Sequence, residues 1–133
     1  MGIKAIAKLA PVHIPYTISA GEAADCQIFV ADQDYEVMDV RETHSIAGAS
    51  SSTVSVQIAS SGTAPGSSVN TQETAFALDS TVNTPVQATL SSTLSARKMD
   101  KGEQISLNFS GTVSAYEGAI HIVLKPIRTN TTY

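Results

Sequence analysis

Three histidines, one cysteine and a pair of acidic residues in one turn are where any chemistry in this chain would have to start. His13, His44 and His121 are of the type that ligates metals or moves protons. They are far apart along the chain, no two stand at the short spacing of a metal motif, and Cys26 is the single thiol that could join them. His121 falls on the outward register of an alternating segment, as a surface histidine does. Asp32 and Asp34 flank Gln33 in the alternation that calcium loops use, but the glycine and distal glutamate that complete such a loop are missing. The many serines include no Gly-x-Ser-x-Gly, and none has a base beside it to activate it. Gly62 and Gly66 lack the lysine and helix that would make a phosphate loop. Cys26 opens the apolar run Cys26-Gln27-Ile28-Phe29-Val30 and reads as a small buried hydrophobe. These residues imply no catalytic group, metal or cofactor, and the chain is expected not to be an enzyme.

The elements that could position a site are short and extended. From Lys98 to Lys125 the sequence reads as an Asp-Lys-Gly turn, a strand, a Gly-marked connection and a second strand. Ile105, Leu107 and Phe109 alternate with polar residues, and Ile120, Ile122 and Leu124 alternate with Ala119, His121, Val123 and Lys125. Period two commits these six apolar residues to a core, and predicts an antiparallel pair whose opposing sheet comes from the rest of the chain. Upstream, Cys26 to Ala31 predicts a strand buried on both faces. Tyr35 to Ala47 predicts a long strand with a bulge near Val37-Met38, where the alternation slips. Thr53 to Ala59 alternates cleanly, with Val54, Val56 and Ile58 inward and Ser55 and Gln57 outward. Residues 60–68 are loop by composition, Val69 to Leu78 suits helix or strand, and Pro85 opens a strand through Val86, Ala88 and Leu90. The sum is about seven or eight strands in an all-β antiparallel sandwich, of simple or jelly-roll connectivity, over residues 21–127. Residues 128–133 read as a polar tail.

Composition fits that class. With 133 residues the chain makes one domain, and its 15% of charged residues is low for a globular protein. Serine and threonine fill the difference, which suits strands, turns and a surface spent on neighbours. The net charge of −4, with scattered Lys and Arg, argues against a nucleic-acid partner. No apolar run is long enough to span a membrane, and the start has neither the apolar core of a signal peptide nor a myristoylation signal, so the expectation is synthesis and use without secretion.

Residues 1–20 differ from the body. Ile3, Ile6 and Leu9 recur at helical spacing, but Pro11 and Pro15 interrupt regular structure and leave His13, Ile14, Tyr16 and Ile18 on an extended path. So many apolar residues in a proline-broken segment predict an N-terminal arm that lies across another surface. Ile3, Ile6, Leu9, His13, Ile14, Tyr16 and Ile18 are its candidate contacts with a partner or a neighbouring subunit. Deleting residues 1–20 is then expected to leave the sandwich folded.

The order of turn motifs along the body resembles that of tailed-phage capsid decoration proteins, the cement or head-fibre class. The residues that carry the likeness are Phe29-Val30-Ala31-Asp32-Gln33-Asp34-Tyr35, Thr63-Ala64-Pro65-Gly66, Thr81-Val82-Asn83-Thr84 through Thr89-Leu90, and Met99-Asp100-Lys101-Gly102-Glu103-Gln104-Ile105. The likeness covers roughly residues 24–127, and Glu103 stands where that family has aspartate. The resemblance implies a virion protein, made in the host cytoplasm, that binds the outer surface of an assembled capsid. It also implies the major capsid protein as partner and a homotrimer, with a dimer as second choice. A different class, the carbohydrate- or receptor-binding sandwich of a fibre or lectin-like module, is disfavoured because sugar sites use aromatic platforms. This chain has no Trp, four Tyr and three Phe. A secreted or pilus-like subunit is disfavoured by the lack of a signal segment.

Overall fold

The computed structural model describes residues 10–127. The strands, in chain order, are β1 (Val12–Ile18), β2 (Cys26–Val30), β3 (Tyr35–Ile46), β4 (Thr53–Ala59), β5 (Val69–Asn70), β6 (Phe76–Ala77), β7 (Val86–Gln87), β8 (Lys98–Met99), β9 (Gln104–Ser110) and β10 (Glu117–Pro126). One 3-10 turn, Leu94–Ala96, completes the described secondary structure. All pairing is antiparallel. One sheet runs β1-β10-β3-β7 with β8 also on β3, and the other runs β2-β9-β4-β5 with β6 also on β4. The expected all-β sandwich is the observed architecture.

The two alternating strands between Lys98 and Lys125 do not pair with each other. β9 lies between β2 and β4, whereas β10 lies between β1 and β3 in the opposite sheet. Each is the centre of its own layer, so Ile105 and Leu107 belong to one sheet and Ile120, Ile122 and Leu124 to the other. All five are fully buried in the shared core with Val37, Val40, Val54, Val56, Leu78 and Met99. Phe109 is half-buried against that core, its ring edge-on to Tyr116 at 6.4 Å between centroids. The period-two signal identified which residues face inward, but it does not distinguish a neighbouring strand from one across the sandwich.

The alternation slip in β3 has a structural cause. Val123 pairs with Asp39 and Leu124 with Val37, so Met38 is the extra residue of a bulge. Beyond it the inward phase runs through Val40, Glu42 and His44. Three other expectations need correction. β2 is an edge strand rather than one buried on both faces, and Val30 is 61% exposed. Ser55 and Gln57, expected outward to solvent, are buried because the following loop folds back over them. The Gly66 N–H donates to Gln57 Oε1 at 2.8 Å, Gln57 Nε2 donates to Asn70 Oδ1 at 2.7 Å, and the Val56 N–H donates to Gln72 Oε1 at 3.0 Å. Finally, Val69 to Leu78 is neither a helix nor one strand, but two short bridges to β4.

Two of the turn motifs quoted for the family resemblance are fastened to one another. Asp100 to Glu103 is a hydrogen-bonded turn with Gly102 at φ +91°, a conformation that favours glycine. Glu103 Oε1 accepts from the Asp100 N–H at 2.7 Å, and the Lys101 N–H donates to Asp34 Oδ1 at 2.9 Å. Asp32 Oδ1 accepts from the Tyr35 hydroxyl. The acidic pair of residues 32 and 34 therefore holds this corner together, which is the work its oxygens are occupied with.

Candidate functional site

Strand β1 is the first candidate, because its residues carried the expectation of external contact. Its seven residues pair with β10 from Val12 opposite Leu124 to Ile18 opposite Gly118. Residues 12–18 thus belong to a sheet of the sandwich, rather than to an arm that ends at residue 20. Side chains alternate across it. Ile18 is 3% exposed and packs in the chain's own core, so it has no surface to offer a partner. Ile14 and Tyr16 are half-buried against the same core, and the Tyr16 hydroxyl lies 3.7 Å from Cys26 Sγ in the other sheet. That bond, with burial, pushes the Tyr16 phenol up from its ordinary value. His13, Pro15 and Thr17 face outward and are exposed. Ile3, Ile6 and Leu9 lie outside the described residues. Deletion of residues 1–20 would therefore remove a whole strand and a core side chain with any arm.

Among the described residues, β1 and β2 are the open edges of their sheets on one side of the sandwich, the side joined by the Tyr16–Cys26 contact. An open edge presents unpaired backbone groups and is the natural place for another chain to dock. Pro15 interrupts the row of donors on β1, a usual way to blunt an edge.

The second candidate is a cleft of about 390 Å³ beside the ends of β1, β3 and β10, with Thr17, Ser19, Thr43, Asn83 and Glu117 in its walls. The Thr81–Thr84 segment closes it: Asn83 sits at φ 57° and its N–H donates to the His44 carbonyl at 2.7 Å. Beneath the cleft floor lies a buried polar network. Glu42 Oε2 accepts from the Tyr116 hydroxyl at 2.8 Å and lies 2.9 Å from His44 Nδ1, while His44 Nε2 donates to the Ser80 carbonyl at 3.0 Å. Burial pushes the His44 pKa down, but the Ser80 carbonyl and the Glu42 carboxylate outweigh it, and the net shift is upward. The Tyr116 phenol is pushed far up by burial and by Glu42. Both the His44 and Glu42 side chains have no exposed surface. Both nitrogens of His44 are already bonded, so it can neither reach a substrate nor take up its proton. The network ties β3, β10 and the 80–84 segment together.

Sequence reasoning missed Glu42 and His44 as interior residues, although the signal was present. They continue the inward phase of Val40, and two polar residues in that phase mark a buried pair rather than a surface face.

The third feature is on the outer face of the first sheet. His13 Nδ1 lies 3.2 Å from His121 Nε2, and the rings meet edge to face at 5.4 Å between centroids. A depression of about 300 Å³ surrounds them, with Val123, Asp39 and Arg41 as its other walls. Their distance along the sequence had argued against any link between these histidines, but antiparallel pairing of β1 with β10 brings them together.

No family model and no curated protein sequence matches this chain. Among solved structures, a chain of the capsid of Ralstonia phage GP4 is similar in fold, with a TM-score of 0.52 and 13% sequence identity. The likeness covers 91% of this chain and 84% of that one.

Proposed function

We propose that the protein is a non-enzymatic structural component of a tailed-phage virion. It binds the outer surface of the assembled capsid and bridges neighbouring major capsid protein subunits. The observation that carries this reading is the near-complete overlap in fold with a chain of a phage capsid, 91% of this chain against 84% of that one. The order of turn motifs along residues 24–127 points the same way, independently of the fold comparison.

The surface supports attachment to a partner rather than turnover of a small molecule. Its clefts are open, and the buried acid–base network of Glu42 and His44 is sealed under side chains. Two sheet edges, β1 and β2, are open on one side, with Val30 exposed at the end of β2. The mechanism is linkage: a protein that binds only the assembled shell stabilises it by mass action, and several attachment points multiply weak contacts. A homotrimer on a local lattice axis would match the shell's symmetry, with a dimer as the next choice. The purified protein should co-sediment with DNA-free expanded capsids of the phage that encodes it. Failure to bind capsids, together with a hit on a glycan array, would favour a receptor-binding module instead.

A further inference from the structure

We infer that His13 and His121 form a binding site for one divalent transition-metal ion of the class that prefers imidazole: zinc, nickel or copper. The two residues are 108 positions apart in sequence and meet only in the folded sheet. His13 pairs with Val123, two residues from His121, so the histidines are diagonal neighbours on the outer face, and both are exposed. A tetrahedral ion with metal–nitrogen bonds of about 2.0–2.1 Å holds two nitrogen ligands roughly 3.3–3.4 Å apart. The imidazole nitrogens already stand 3.2 Å apart, close to that span, and tilting the exposed rings would turn both lone pairs toward one ion. Val123 fills the space between them on the sheet, opposite Asp39 on β3.

The charged groups around the pair are Asp39 and Arg41 on β3 and, one row beyond His13, Lys125 opposite Glu36. Arg41 Nε donates to Asp39 Oδ2 at 2.8 Å and Gln87 Nε2 to Oδ1 at 2.9 Å, so Asp39 contributes charge while its oxygens are held by others. Two imidazoles and open positions for water suit a borderline cation; calcium and magnesium require an oxygen shell this depression does not build. An ion here would clip the edge strand β1 to β10. Because the ligands are remote in the unfolded chain, binding would stabilise the fold, and protons would compete with it as pH falls. The site does not depend on the capsid reading.

Titration calorimetry of the whole chain with zinc chloride and with nickel chloride at neutral pH is the test. The expected result is one ion per chain, with His13→Ala and His121→Ala each weakening affinity at least about tenfold. Metal at a hundred times its dissociation constant should raise the folding constant about 100-fold in the wild type and leave the double variant unmoved. In NMR spectra, zinc should shift the His13 and His121 ring signals and spare His44, whose ring is sealed. Binding retained in the double variant, ring signals unmoved by zinc, or a wild type that takes up neither ion below about 1 mM would overturn the site.

Discussion

Glu42 is the residue on which the interior depends most unequally. Its Oε2 serves two partners, Tyr116 and His44, while Oε1 has no hydrogen-bond partner. Removing one member of such a buried set strands the others. Glu42→Ala should therefore cost about 3–5 kcal/mol in urea unfolding, and Tyr116→Phe about 1–3 kcal/mol. A Glu42→Ala variant as stable as the wild type would show that the network contributes nothing. His44 also sets a pH dependence. Its folded pKa is raised above the ordinary 6.5, so its contribution is fully present below that value and lost as pH rises through the folded one. The stability difference between wild type and His44→Asn should thus be largest below pH 6.5 and shrink as pH rises above it, read from urea midpoints. A difference that grows with pH would mean the shift has the opposite sign.

At the scale of elements, β3 and β10 form the longest ladder, and Gly118 is a position where it has no room for a side chain. A methyl group there would sit 2.5 Å from the Thr43 carbonyl oxygen and 2.5 Å from the Tyr116 hydroxyl. Gly118→Ala must part the ladder beside the bulge between Glu117 and Gly118, at a cost of about 1–3 kcal/mol, measurable as a lowered unfolding midpoint. Four strands could be read from alternation: β3, β4, β9 and β10 fall where period two put them, and the Met38 bulge where it slipped. What alternation could not carry was pairing. Ile105 and Ile122 read alike, yet they belong to different sheets because partner choice depends on remote strands. The same limit hid the meeting of His13 with His121. It also made residues 12–18 look like part of an arm lying across another surface, since Pro15 suggests a break but is tolerated on an edge strand.

The described residues form a two-layer sandwich, and two of its turns make a structural corner. The turn at Asp100–Glu103 and the Asp32–Tyr35 turn brace each other, so the oxygens of these motifs hold the scaffold. Fold class could be read from short strands and turn residues. Which strands lie at the sheet edges could not, because that depends on pairing between remote strands. The most direct measurement of the central claim is cryo-electron microscopy of DNA-free expanded capsids saturated with the purified protein. The account predicts ordered density on the outer surface, at a fixed number of copies per capsid subunit, with each copy spanning a boundary between subunits. Bare capsids at saturating protein, or density confined to the interior of the shell, would contradict it.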